Sequence, residues 1–361
     1  MLHSGLRLTA SSLALLFAPM LGCRGRASTP VVATAPAAAA IDDSTDNIMR
    51  GALANAVQAR GNDAVAAMRS IDSSRLAMRY RATRACMLQR LGARVAPTIE
   101  LSDPFLRGVL ATYHEYWLRS MRDEHPSADN EAWLLEALNA RVAAAGEAKG
   151  ATLDDLEAPL TSLARARGYH VLFGVTSPLR EFMLWKTETD AHYDVRLPES
   201  TQAVTVVFMS DFASLGWVGF ATCDRHHTGG WTKPDRLYAV RSAYDLDSED
   251  FRVSYLAHEG QHFSDAKRFP DMKQERLEYR AKLVELAVGK ASVYELLDAF
   301  AGNVSSDPEV PHSFANGRVV RDMAARLSPG KSDQPRWRDV SVERINAAAA
   351  ALLREDSAKT A

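Results

Sequence analysis

Cysteine is scarce in this chain: three among 361 residues, at positions 23, 86 and 223. A disulfide-rich scaffold is thereby excluded. Past Cys23 only one bridge, Cys86 with Cys223, can form, and two separate buried thiols are the alternative. Neither sign of charge is in excess, with 43 basic against 45 acidic residues. That balance gives no reason to expect nucleic acid or a strongly charged partner. No repeat period is visible. Apolar runs long enough to span a membrane are missing too; Leu8–Met20 is too short and too early. Histidine is sparse, ten in all, so a close pair of histidines carries weight.

Such a pair occurs in Tyr255-Leu256-Ala257-His258-Glu259-Gly260-Gln261-His262. Residues four apart on a helix share a face, one turn apart. Two imidazoles at that spacing can ligate one Zn²⁺, and the Glu beside the first can serve as general base. Phe251, Val253, Leu256 and Ala257 give the preceding segment the pattern of a buried helix, and Ser248 is the expected N-cap. Asp265 lies on the same face as the histidines and is a candidate to hold a ligand imidazole by its other nitrogen. Gly260 costs about 1 kcal/mol relative to Ala inside a helix. It implies close approach of another backbone or a bulky side chain.

A second helix is predicted over Met272–Lys290, with Asp271 and Gln274 as its capping box. Leu277, Ala281, Val284 and Val288 form its apolar stripe; Glu278 and Glu285 flank the stripe, and Glu275 points away. Glu278 is the expected third ligand. Glu285, two turns on, is the next choice and a candidate partner to a ligand.

These residues resemble the gluzincin class of zinc metallopeptidases, the thermolysin and neprilysin group. His258-Glu259-x-x-His262 is followed by a Glu on the next helix, Glu278-x-x-Ala281 is similar to the downstream element of several bacterial members, and His262-Phe263-Ser264-Asp265 resembles the neprilysin-type continuation. The resemblance covers about Tyr255–Leu286. It implies His258, His262 and Glu278 as zinc ligands, Glu259 as base and a peptide or protein substrate. One departure is Lys282, where many members carry an Asp four residues after the ligand Glu. A ligand six residues beyond His262 would fall on Arg268, which excludes the metzincin arrangement. The oxyanion of a tetrahedral intermediate needs a further donor. Tyr244, His226, His227, Tyr279 and His312 are the candidates, with His312 the first choice.

Near the N-terminus, Arg7 precedes the apolar run, which reads as a signal peptide. Gly22-Cys23 resembles a bacterial lipobox, implying a lipid-modified Cys23 and a membrane anchor. The alternative is plain cleavage near Ala27 or after Ala33-Thr34-Ala35. Either way the protein is exported, to the periplasm. Arg24 after the Cys favours the outer membrane, by resemblance to lipoprotein sorting. A Pro/Ala-rich tether is expected over 24–45.

The expected class is α+β: a helical region over 46–167, then a zincin-like catalytic domain over 168–361 with a small, mostly antiparallel sheet. Helices are predicted at Asn62–Leu91, Asp103–Met121, Asn130–Ala145 and Leu153–Ala166, then at Val293–Phe300, Val319–Leu327 and Val342–Leu353. Strands are predicted at His170–Val175, Phe182–Lys186, Ala203–Met209, Trp217–Thr222 and Leu237–Ser242. Trp217–Thr222, with Gly216 and Gly219, is the expected edge for an extended substrate. A non-catalytic envelope lipoprotein with a structural metal, and a zinc amidase acting on cell-wall peptides, are the competing readings.

Overall fold

The computed structural model describes residues 43–122, 127–308, 310–329 and 336–359. The expected signal peptide, Cys23 and the tether as far as residue 42 lie outside these residues. The fold is α+β. No helix among the described residues is long and apolar enough to cross a membrane. Two compact units divide the chain. One comprises residues up to Thr187 with Ser210–Thr228, the other Glu188–Met209 with Gly229–Ala361. The sequence had suggested a single boundary after residue 167. Two long strands, β2 (Leu179–Arg196) and β3 (Thr201–Leu215), each run from one unit into the other.

The first unit holds α1 (Asp43–Ala56), α2 (Gly61–Arg69), α3 (Met78–Met87), α4 (Pro104–Met121), α5 (Ser127–Ala144) and α6 (Leu153–Arg165). It also holds β1 (His170–Thr176) and α7 (Gly216–Thr222). Helix α1 already starts at Asp43, inside the expected tether. Helix α4 begins as its sequence dictates: Pro104 occupies the first turn, and the Asp103 carboxylate accepts from Leu106 N at 2.8 Å. It buries Leu106, Leu110, Tyr113, Trp117 and Met121 among others. Tyr113 stacks on Phe182 at 4.7 Å, and Trp117 Nε1 donates to Arg180 O at 2.9 Å. Cys86 and Cys223 are joined in a disulfide.

Two sequence expectations fail in this unit. Asn62–Leu91 is not one helix; α2 ends at Arg69, and an Asp72 carboxylate accepting from Ser74 N and Oγ turns the chain before α3. Trp217–Thr222 is not an edge strand but helix α7. Gly216 takes φ +84°, and the buried Glu181 carboxylate accepts from Trp217 N at 3.0 Å, starting a helix there. All seven residues of α7 are buried. Their apolar character reflects burial on every side, a pattern that does not separate a short strand from a short helix.

The sheet has the order β1-β2-β3-β5-β4, with β4 (Gly230–Thr232) and β5 (Leu237–Val240). β1 pairs with β2 and β4 with β5 antiparallel, whereas β3 and β5 are parallel in the register Val206↔Leu237. The short β4 is therefore a sheet edge. Gly230 is needed there: a Cβ would lie 2.2 Å from Tyr238 O and 2.7 Å from the Tyr255 ring.

In the second unit, Val195, Val204, Val206, Phe208 and Leu237 meet Phe251, Tyr255 and Leu256 in one core. After a π-helical stretch, Phe251–Ala257, come α8 (His258–Arg268) and α9 (Gln274–Val288). Helices α10 (Val293–Gly302), α11 (Pro311–Leu327) and α12 (Val342–Ala358) follow. Helix α9 packs against α8, α10, α11 and α12 and is buried without a break from Glu278 to Leu286.

Candidate metal centre

The segment leading to the motif starts as expected: Ser248 Oγ accepts from Phe251 N at 3.0 Å. The next two turns are π-helical, an irregularity common at functional positions. Gly260 then lets α8 lie against β2, since a Cβ there would come 3.1 Å from Val195 Cγ1. The close approach implied by that glycine is thus with a bulky side chain.

His258 and His262 turn their rings toward each other, with the Nε2 atoms 3.1 Å apart. Glu278, on α9, places Oε2 3.5 Å from His258 Nε2 and Oε1 3.4 Å from His262 Nε2. Two atoms bonded to one tetrahedral ion at 2.0–2.1 Å are separated by about 3.3 Å. The His258–His262 separation is close to that value, the two Glu278 separations start from its two different oxygens, and one ligand atom from each residue lies within 4.8 Å of the others. This donor set, two imidazoles and a carboxylate, fits zinc.

Further side chains stand behind the candidate ligands. His258 Nδ1 lies 2.6 Å from Glu285 Oε1, so the carboxylate fixes which ring nitrogen is free. Glu285 thus sits where a carboxylate-to-imidazole contact is needed, one turn beyond the position that Lys282 occupies. Asp265 does not hold a histidine. It accepts from Arg280 Nε at 2.7 Å and from Gln261 Nε2 at 2.8 Å, because the fully buried Arg280 presents a whole guanidinium to it. Nor do Asp271 and Gln274 form a capping box: Lys273 is the N-cap, and Gln274 Nε2 donates to Glu278 Oε1 at 3.4 Å.

The ionisable groups at the site shift one another. Burial works against a charged His258, but the Glu285 and Glu278 carboxylates outweigh it and push its pKa up to about 10. Burial also raises Glu278, yet the His312 and His262 imidazoles and the hydrogen bonds from His258 and His262 hold it well below the usual carboxylate range.

Glu259 is buried, with Oε2 accepting from Thr232 Oγ1 at the end of β4 and Oε1 without a partner. An orphaned buried carboxylate oxygen beside a ligand set is suited to accept a proton. Thr232 was missed from sequence. His312, in the first turn of α11, brings Nδ1 within 2.8 Å of Glu278 Oε2, although the ring is not aligned for a hydrogen bond. His312 Nε2 is buried without a partner. Tyr279 donates to Asp322 at 2.7 Å, and His226 and His227 belong to the other compact unit. Tyr244 is buried; burial first, then Glu259, pushes its phenol well above its ordinary range, so it stays a donor. Side-chain exposure rises from 1% at His258 and Glu278 to 12% at His262 and 25% at His312, which marks the side from which water reaches the site.

Comparison of the chain with protein-family models, with curated proteins and with solved structures returned no match.

Proposed function

We propose that this protein is a zinc metallopeptidase of the gluzincin type, with the second compact unit as its catalytic body. The observation that carries the reading is the spacing of the His258, His262 and Glu278 ligand atoms, 3.1–3.5 Å, next to the orphaned Glu259 oxygen. A zinc ion held by these residues would polarise a scissile carbonyl and acidify water beside it.

The chain's own residues supply the rest. Glu259 Oε1 takes the proton of the attacking water and returns it to the departing amine. Thr232 holds the other oxygen so that Oε1 faces the reacting atoms. Glu285 keeps the His258 Nε2 lone pair directed inward. His312, partly exposed beside Glu278, is the donor for the developing oxyanion. An extended peptide substrate has an edge to pair with in β4, whose last residue, Thr232, touches the base. We assign the enzyme to the periplasm on a lipid anchor at Cys23, a reading that the expected signal peptide and the Cys86–Cys223 disulfide support. Peptides and proteins of the cell envelope are the substrates this location offers.

The burial of His258, Glu259 and Glu278 favours a second reading, a metal that serves stability alone. One pair of measurements separates them. The protein should carry about one zinc per chain, and it should cleave an unstructured protein such as casein. Glu259→Gln should keep the zinc and lose cleavage. Zinc without cleavage in the wild type supports the structural reading, and failure to bind zinc refutes both.

A further inference from the structure

We propose that Lys282 holds a carboxylate of the substrate, which makes it a specificity-determining residue for the peptidase reaction. The inference rests on the reading of the protein as a zinc metallopeptidase and goes beyond it, since the catalytic steps above leave Lys282 unused. Lys282 follows Glu278 by four residues, so the two share a face of α9, one turn apart. Glu285 already serves as the carboxylate partner of His258, which frees position 282 from that role.

The surroundings of Lys282 leave its charge unanswered. The residue is 7% exposed, and its ammonium lies over the Phe300 ring, 4.8 Å from the centre. Among the described residues no carboxylate comes within ion-pair reach of it; Glu278 and Glu285, on the same face, are turned to the histidines. A ring face orients an ammonium without neutralising it. Buried cations persist where a counter-charge meets them, and the geometry here leaves that charge to a bound molecule.

The neighbouring helices show that this turn adjoins the candidate site. On α11, Asn316 follows His312 by four residues, and His312 Nδ1 lies 2.8 Å from Glu278 Oε2. The end of α10 joins the two turns: Phe300 lies against Lys282, and Asn303 O accepts from Asn316 Nδ2 at 2.7 Å. Asn316 Oδ1 is buried without a partner. One turn beyond Glu278 and His312 there are thus an unpaired cation and an unpaired acceptor. A peptide carries the complement of both, a carboxylate and a backbone N–H. A helical turn sets them about 6 Å from the level of Glu278, the span of one or two extended residues. The carboxylate therefore belongs to a residue just past the cleaved bond, as an acidic side chain or as the substrate's own C-terminal group.

The test takes a bond that the protein cleaves in casein, read by mass spectrometry, and rebuilds it as a peptide ending two residues past that bond. The peptide is made with a free or amidated C-terminus, and with Glu or Gln as its last residue. Removing the carboxylate that Lys282 holds should lower kcat/KM at least tenfold, through KM, the factor expected for a hydrogen bond to a charged group. Lys282→Met, which keeps most of the stem, should erase that preference with zinc content unchanged, and Lys282→Arg should keep it. Calorimetric binding of the same peptides to zinc-loaded Glu259→Gln protein should show the same order. A preference for the free C-terminus assigns the C-terminal group, and a preference for Glu assigns the side chain. Wild-type protein that cleaves every form equally, or a preference that survives Lys282→Met, overturns the proposal. Zinc-loaded wild-type protein that leaves casein intact overturns the peptidase reading, and this inference with it.

Discussion

On the proposed reading, removing zinc from this centre leaves its ligands to hold protons instead, and that exchange has a measurable signature. The pKa of His258 is pushed up to about 10 in the folded chain, against an ordinary 6.5. A raised folded-state value contributes stability that is complete below about pH 6.5 and is lost as pH climbs toward 10. Glu278 is held below its ordinary 4.5, so its contribution is present above that pH and is lost as pH falls. Metal-free protein should therefore be most stable between about pH 4.5 and 6.5 and should weaken by a few kcal/mol on the alkaline side. Zinc takes the place of the proton on His258, so its affinity should rise with pH. At free zinc a hundredfold above Kd the gain is about 2.7 kcal/mol. For a unit of this size that raises Tm by roughly 5–10 °C. Calorimetry with chelator and with zinc at pH 6, 7.5 and 9 measures both effects. A Tm indifferent to zinc, or a zinc-induced shift that shrinks from pH 6 to 9, refutes the reasoning.

Other consequences follow from single contacts. Glu285→Gln should weaken zinc affinity 10- to 100-fold in a competition titration with a chromogenic chelator, because His258 Nδ1 loses its anionic partner. Thr232→Val should keep zinc content but lower turnover about tenfold, while Thr232→Ser, which keeps the hydroxyl, should restore it; equal rates for both variants would remove Thr232 from the site. Reducing the Cys86–Cys223 bridge, whose cysteines lie 137 residues apart, should cost about 5 kcal/mol in the chain-entropy picture, read as a lower denaturant midpoint with dithiothreitol.

The parts of this centre that a sequence can reveal are those set by helical periodicity. His258 and His262 are one turn apart on one helix, and Glu278 and Glu285 differ from Glu275 by rotation alone, so their facing was readable before any tertiary contact was known. Thr232 was not readable. It sits on a three-residue strand among glycines, too short for alternation to show, and only the pairing of β4 with β5 brings it to Glu259. Helix α7 was misread for a related reason, since an apolar run of seven residues fits strand and helix equally. Asp265 was placed on the correct face of its helix but given the wrong partner, because nothing local reports that Arg280 is buried opposite it.

Arg280 explains why Glu278, the proposed third ligand, is held so firmly on α9. Buried charges are tolerated only when paired, and between Glu278 and Leu286 this helix carries four of them. Each has a different destination: Glu278 the histidines, Arg280 Asp265 and Asp356, Lys282 the Phe300 ring, and Glu285 His258 Nδ1. A shift of one residue along the helix would rotate all four by about 100° and leave every one of them unpaired at once. The register of α9 is thus fixed by partners on three other helices, and the Glu278 carboxylate, the proposed third ligand, inherits that precision. A buried ionic framework of this kind is costly to form and gives little net stability. Its benefit is positional, and a ligand that must meet two imidazoles within a few tenths of an ångström is where such a benefit is needed.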